Sequence, residues 1–233
     1  MLRAIIAALL TLVVSGCGSR GFDRLKISEQ LRQAPVADEN IRAALAVRPT
    51  AIPPLAVGVY FRPARPRTGS PAWRAPAPAW SWRGEDKDVL LEADITSSEL
   101  IASMFPIVDP TVDYDDVKGA RLAAARHGAD AVMIVTGAAD VDAYSNPLSL
   151  LYLTIVGMWI VPGSHRDALF AANATLWDVA TGYLYASAEA EGRGTLVRPL
   201  LFIDDDEAIA RARREALIAL RDELLKRIRR TAR

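Results

Sequence analysis

The sequence predicts a single α/β (α+β) domain with a mixed β-sheet and packing helices. Two apolar segments, Leu55–Phe61 and Ala131–Val135, predict strands covered on both faces. The helical patterns between them predict a crossover connection and at least one parallel pairing. Farther along the chain, the turn Asp178–Gly182 joins two strand-like segments and predicts an antiparallel hairpin. The chain has 233 residues, 51% of them hydrophobic and 24% charged, which is normal for such a domain.

Residues 1–16 predict a secretory signal peptide. Arg3 supplies a positive charge, residues 4–14 are apolar at all positions but one, and small residues precede Cys17. Bacterial lipoproteins are cut before such a cysteine, which is then acylated, so we predict Cys17 as the lipid attachment site. The alternative is an ordinary signal peptide with an incidental cysteine. The apolar run is shorter than the roughly 20 residues of a membrane-spanning helix.

Lipidation of Cys17 would use the only thiol of the chain. The protein would then have no disulfide, no catalytic cysteine and no thiolate metal site. Gly18 follows in place of the Asp that signals inner-membrane retention in many Gram-negative lipoproteins. We therefore expect the outer membrane, on its periplasmic face, and leave the inner membrane open. Lys plus Arg equals Asp plus Glu at 28 each, so charge gives no case for nucleic-acid binding.

Residues 17–50 predict a lipidated tether that is partly helical and interrupted at Pro35, and residues 51–231 predict the domain. Within the domain, residues 62–84 form an insertion rich in proline, arginine and tryptophan. Its tryptophans could bind a glycan, a protein or lipid headgroups through stacking and cation–π contacts. The alternative is a loop whose tryptophans fold back on the domain. The candidate partner surface consists of Trp73, Trp80 and Trp82.

The segment from Asp86 to Phe105 predicts a helical region that Pro106 ends. Four aspartates follow within residues 109–116. They could bind calcium, but the calcium-loop motif is absent, which favours Asp113 or Asp115 as the N-cap of the next helix. That helix is predicted to run to about His127, with Gly128 ending it.

The apolar run Leu148–Val161 predicts a long strand, because it is rich in β-branched and aromatic residues. Core burial is one interpretation. Contact with a membrane, a partner or a second copy of the chain along this strand is the other. Segments Leu169–Val179 and Tyr183–Glu191 form the predicted hairpin, and alanines at alternate positions of the second segment predict a closely packed helix.

The last predicted helix follows Asp204–Asp206, whose negative charge suits a helix N-terminus. Its apolar stripe is Leu217, Leu220, Leu224 and Ile228. Two acid-before-base pairs are expected on its exposed side, Asp222 with Lys226 and Glu223 with Arg227.

Groups that could carry catalysis are scarce. The chain has two histidines, His127 and His165, neither at a metal-ligand spacing. No nucleophile elbow or phosphate-binding loop occurs, and the adjacency of Ser164 to His165 in sequence does not make them a nucleophile–base pair. We therefore predict that the protein is not an enzyme and has no catalytic residue, cofactor or metal.

The run Leu150–Gly163, the segment Trp177–Gly182 and the polar terminal helix together resemble the rhombotarget lipoproteins, over about residues 50–231. Many members of that family end in a Gly-Gly, transmembrane and basic sorting tail for a rhomboid-type protease. Residues 230–233 carry no such tail, so we expect no processing of that kind. The resemblance implies no reaction.

A more distant similarity is to α/β lipoprotein domains of the curli-secretion and penicillin-binding-protein-activator kind. It depends on the helix-to-strand junction Gly128–Val132 and on the Asp-x-x-Thr-Gly turn. This similarity implies binding to other envelope proteins.

Together these features predict a membrane-anchored, periplasm-facing lipoprotein that acts as a non-enzymatic binding or assembly module of the envelope. Its expected partners are the membrane, through the N-terminal lipid, and an envelope protein, with homo-oligomerisation left open. The alternative is a glycan- or peptidoglycan-binding, even hydrolytic, envelope protein that uses the three tryptophans and the aspartates 109–116.

Overall fold

The computed structural model describes Arg24 and residues 38–64, 80–91, 100–112 and 116–231. The helices are α1 (Asp38–Ala46), α2 (Gly84–Leu91), α3 (Val117–Arg126), α4 (Ile155–Ile160) and α5 (Asp205–Thr231). The strands are β1 (Leu55–Phe61), β2 (Ile101–Ile107), β3 (Ala131–Ser145), β4 (Ser164–Asp178) and β5 (Leu184–Arg198). Short 3₁₀ turns occupy Asp109–Thr111, Pro147–Leu153 and Leu200–Phe202.

The five strands form one mixed sheet in the order β2-β1-β3-β4-β5. β1 is parallel to both β2 and β3, whereas β3, β4 and β5 are successively antiparallel. With helices on both faces of this sheet, the molecule has the single-domain α+β architecture that the sequence predicts.

Strand β1 has the predicted bounds, and β3 continues ten residues beyond the predicted Val135. The turn Asp178–Gly182 joins β4 to β5 as expected, and Gly182 has a φ of 73°. Gly128, also at φ 73°, ends α3 as predicted. The N-cap of α3 is Asp116, so the prediction of Asp113 or Asp115 is wrong. The Asp116 carboxylate accepts a 2.7 Å hydrogen bond from the Gly119 amide.

The core lies on both faces of the sheet, in three clusters. On one face, α5 and α2 cover Val57, Met133 and Phe170. On the other face, α3 covers Tyr60 and the neighbouring residues of β3. The α5 stripe is buried as predicted, with Leu217, Leu220, Leu224 and Ile228 each at most 1% exposed.

Helix α5 lies very close to β5, which explains the small residues of that strand. A Cβ atom at Gly192 would lie 2.2 Å from the Ala212 carbonyl oxygen, and one at Gly194 would lie 2.2 Å from that of Ala208. Of the predicted surface pairs, Glu223 bonds to Arg227 at 2.9 Å. Asp222 instead lies 3.5 Å from Arg221, and Lys226 lies 3.9 Å from Glu223.

Two predictions of secondary structure are wrong. The helical region predicted over 86–105 ends at Leu91, and β2 begins at Ile101 with Pro106 inside it. β2 tolerates the proline because it is an edge strand, where a missing N–H removes no ladder bond. The strand predicted over 148–161 is absent, and its place is taken by a 3₁₀ turn and α4.

Candidate functional site

Among the described residues, the largest group of exposed apolar side chains lies at one end of the sheet, where β3 turns back into β4 and where β5 ends. We call residues 148–160 and 200–202 the apolar tip. The two parts meet through the rings of Trp159 and Phe202, whose centroids are 5.5 Å apart. Leu153 is 92% exposed. The other exposed apolar side chains of the tip are Leu148, Leu150, Leu151, Ile155, Val156, Trp159, Ile160, Leu200, Leu201 and Phe202.

Local signals make the tip a pair of stacked turns. The Asn146 side chain caps the 3₁₀ turn by accepting from the Leu148 amide at 2.9 Å, and Thr154 caps α4 by accepting from the Gly157 amide at 3.0 Å. A Cβ at Gly157 would lie 1.9 Å from the Leu151 carbonyl oxygen, so only glycine permits this stacking. These caps and this glycine override the strand propensity of the segment.

Polar groups of the tip and of the residues that flank it bond to one another. The Tyr152 hydroxyl accepts from the Gly163 amide at 2.8 Å and donates to the Val161 carbonyl at 3.2 Å. The Asn146 amide donates to the Pro162 carbonyl at 3.0 Å. The apolar side chains of the tip therefore point outward, while these polar groups are hydrogen-bonded to one another within residues 146–163.

Ser164 and His165 stand at the base of the tip on opposite faces of the sheet, because successive residues of a strand alternate. Ser164 is buried, with its hydroxyl 3.1 Å from that of Tyr152. The His165 ring stacks on Tyr144, and its Nε2 lies 3.0 Å from Nδ2 of Asn146. The two side chains do not form a nucleophile–base pair.

The tryptophans of the predicted partner surface have different positions. Trp80 and Trp82 are half-buried and pack edge-to-face on each other and on Phe170, while Trp82 donates to the Arg62 carbonyl at 2.7 Å. Gly137 leaves room for this cluster, since a Cβ there would lie 2.9 Å from the Trp80 ring. Trp73 lies outside the described residues, as does Cys17.

The aspartates at 109–116 are engaged locally where they are described. Asp109 accepts a 2.9 Å hydrogen bond from the Tyr60 hydroxyl, and Asp116 caps α3. Asp113 and Asp115, the predicted N-caps, lie outside the described residues. Among the residues that are described, no group of three His, Cys, Asp or Glu side chains could hold a metal ion.

A second group of carboxylates lies on the face of the sheet away from α5. The sequence patterns do not predict this group. Asp142 and Asp167 are cross-strand partners on β3 and β4, and Asp140 lies beside them. The Tyr144 hydroxyl donates to Asp167 at 2.9 Å, and this bond, together with burial and the nearby carboxylates, raises the pKa of Tyr144. Asp140 and Asp142 are both buried.

Asp178 is fully buried at the opposite end of the sheet from the tip. It accepts hydrogen bonds from the Thr181 amide at 2.7 Å, the Tyr185 hydroxyl at 2.9 Å and the Thr50 amide at 3.1 Å. Burial by itself would raise the pKa of Asp178, but these bonds outweigh it and hold that pKa well below its ordinary value. Burial and the bond to Asp178 raise the pKa of Tyr185.

A cleft of about 190 Å³ lies between α2 and α5, with charged side chains of both signs along it. Arg213 and Asp86 are both buried and lie 2.8 Å apart, and Arg211 lies 2.8 Å from Glu207. The cleft is also lined by Arg83, Glu85 and Arg214.

No helix in the described part of the chain is long and apolar enough to cross a bilayer. No family profile and no curated protein matches the sequence, so the resemblance to rhombotarget lipoproteins stays a prediction.

Several solved structures are similar to this chain, two of them as follows. One is protein XCC0632 from Xanthomonas campestris, of family DUF330, at 17% identity over 80% of this chain and 93% of that one, with a TM-score of 0.32. The other is the hypothetical protein CT253 from Chlamydia trachomatis, at 8% identity over 76% of this chain and 94% of that one, with a TM-score of 0.34. With TM-scores this low, neither protein informs the function of this chain.

Proposed function

We propose that this chain is a lipid-anchored envelope protein, facing the periplasm, that works as a non-enzymatic docking module. The observation that carries the proposal is the apolar tip, a preformed surface that exposes eleven large apolar side chains at one end of a folded domain. Exposed apolar surface of this extent marks contact sites rather than ordinary monomer surface. The sequence Val14–Cys17 supplies the attachment to the membrane.

Mass spectrometry of the mature N-terminus tests the anchor. We expect a chain that begins at Cys17 and carries a diacylglyceryl thioether with an acylated amine. The variant Cys17→Ser should keep residues 1–16 and lose the lipid. A wild-type chain with a bare thiol at position 17, or with the first sixteen residues still attached, would refute the anchor.

Membrane fractionation tests the location. We expect the wild-type protein in the outer-membrane fraction of a bacterium that uses an Asp retention signal. The variant Gly18→Asp should move to the inner-membrane fraction. Recovery of the wild-type protein as a soluble species would contradict the proposal.

The alternative of glycan binding has less support. Its candidates Trp80 and Trp82 are half-buried and pack edge-to-face on each other and on Phe170, which leaves only part of each ring exposed to a sugar. Co-sedimentation with peptidoglycan distinguishes the two functions. Binding of the protein to peptidoglycan that is lost on deletion of residues 62–84 would favour the glycan-binding function.

A further inference from the structure

We propose that the apolar tip inserts into the interface of the lipid bilayer that carries the anchor, so that the domain stands on the membrane by its tip. This inference rests on the proposed function, because the anchor brings the domain to that membrane. It names the occupant of the tip as lipid, rather than a second copy of the chain or a partner protein.

The first reason is the lack of charge in the tip. Residues 143–164 contain no Asp, Glu, Lys, Arg or His, and Leu200, Leu201 and Phe202 add three further apolar side chains. The cations nearest the tip along β4 and β5 are already paired, Arg166 with Asp205 and Arg198 with Glu207. Moving a charged side chain from water into lipid is the costliest part of insertion, and the tip contains no charged side chain.

The second reason is the hydrogen bonding inside the tip. A segment that enters lipid has to satisfy its polar groups without water. In the tip, Tyr152 bonds to Gly163 and Val161, and Thr154 both caps α4 and donates to the Leu151 carbonyl at 2.8 Å. A surface shaped for a protein partner would instead be expected to present polar groups for pairing across the interface.

The third reason is the position of the predicted lipid. Arg24 lies 3.8 Å from Glu191, which pairs in register with Ala171 in the middle of β4. Ala171 is seven residues from the tip end of β4 at Ser164, a span of about 23 Å at about 3.3 Å per residue. Cys17 is seven residues before Arg24, and an extended segment of that length reaches about 25 Å. A lipid on Cys17 can therefore enter the same leaflet as the tip.

This geometry predicts how the domain is oriented. The tip end of the sheet meets the lipid, and the Asp178 end faces away from the membrane. Because the tip itself has no charge, its insertion should require neither anionic lipid nor low salt. These two properties separate insertion from electrostatic adsorption.

The experiment uses the full lipidated protein with Leu153→Cys, labelled with an environment-sensitive fluorophore. An acylated Cys17 cannot react, so position 153 receives the only label. Its matched control is Ala180→Cys, exposed at the opposite end of the sheet. Each protein is incorporated into phosphatidylcholine vesicles, with and without phosphatidylglycerol, and quenched with aqueous iodide.

We expect quenching at position 153 to be at least about fivefold weaker than at position 180, in both kinds of vesicle and at low and high salt. The double substitution Ile155→Asp and Ile160→Asp should abolish this difference. The matched pair Leu45→Asp and Ile52→Asp, on exposed apolar residues outside the tip, should preserve it. Circular dichroism of each variant verifies that the domain is folded.

Three results would overturn the inference: equal quenching at the two positions, shielding of 153 without vesicles that rises with protein concentration, or shielding that requires added membrane proteins. The second result identifies another copy of the chain, and the third a partner protein. Failure of the anchor itself gives a different result, because an unacylated Cys17 would take a second label and the protein would not float with vesicles.

Discussion

Asp178 joins two segments that lie 128 residues apart in sequence. Its ionised carboxylate receives bonds from the Thr50 amide on one side and from Thr181 and Tyr185 on the other. We expect Asp178→Asn to lower the free energy of unfolding by about 3 kcal/mol, because a fully buried, charged acceptor of several hydrogen bonds is lost. Urea unfolding measures this change. The control Asp88→Asn, at an exposed position of α2, should change it by less than about 0.5 kcal/mol.

The same residue predicts an acid dependence of stability. The pKa of Asp178 is lower in the folded protein than the ordinary value of about 3.9 for an unfolded chain. The stability that ionised Asp178 contributes is therefore fully present above the pKa of the unfolded chain. It is lost as the pH falls through the lower pKa of the folded protein. Urea midpoints taken from about pH 6 down to about pH 2 should fall more steeply for the wild type than for Asp178→Asn. Parallel curves would contradict this assignment.

The buried pair of Arg213 and Asp86 links α5 to α2. We expect Arg213→Met or Asp86→Leu alone to cost about 3–5 kcal/mol, since each leaves one buried charge without its partner. The double variant should cost less than the sum of the two by at least about 1 kcal/mol. Some cost should remain, because Asp86 also accepts from the Arg83 amide at 2.7 Å. A double-mutant cycle from denaturant unfolding measures this coupling, and strict additivity would show that the pair is not coupled.

At the scale of elements, the contact of α5 with β5 depends on the absence of side chains at Gly192 and Gly194. The close approach is between backbones, so a methyl group cannot be accommodated by rotation of a flexible side chain. We expect Gly192→Ala to cost about 3 kcal/mol or more by forcing α5 away from the sheet. Thermal unfolding measures this. The control Gly84→Ala, where no atom lies within 4 Å of the new Cβ, should be neutral or slightly stabilising.

Two side chains of α5 also bond to backbone groups of the edge strand β5. Glu215 accepts from the Arg193 amide at 2.8 Å, and Arg211 donates to the Thr195 carbonyl at 3.3 Å. Side chains thereby satisfy backbone groups that would otherwise invite another strand. Because backbone groups near the centre of β5 are already bonded to α5, this edge is less available for pairing with another strand. The apolar tip is therefore favoured as the contact surface.

At the scale of the whole molecule, stability should be distributed unevenly. β4 lies between β3 and β5 along its full length, and its inward side chains are buried under α5. The tip has an exposed, mostly local network. We expect amide hydrogen exchange in the middle of β4 to require global unfolding, and exchange in residues 148–160 to be faster by a factor on the order of 100. Hydrogen-exchange mass spectrometry compares the two segments, and equal protection would contradict this distribution.

Much of the fold could be predicted because its signals are local. Three features depend on residues that are close together in sequence. They are the β1 segment that is apolar on both faces, the turn formed by Asp178 and Gly182, and the apolar stripe of α5. The same holds for the apolar run of the tip, whose hydrophobicity is evident from composition although its conformation is not.

Long-range contacts and steric fit account for what the sequence could not predict. The tip is not a strand because Gly157 packs against the Leu151 carbonyl, and Phe202 joins it from a segment 43 residues beyond Trp159. Trp80 and Trp82 pack inward because Gly137 and Phe170, on other strands, form their site. Composition, periodicity and turn residues describe each segment alone, whereas the partner of a buried or exposed group depends on how distant segments come together.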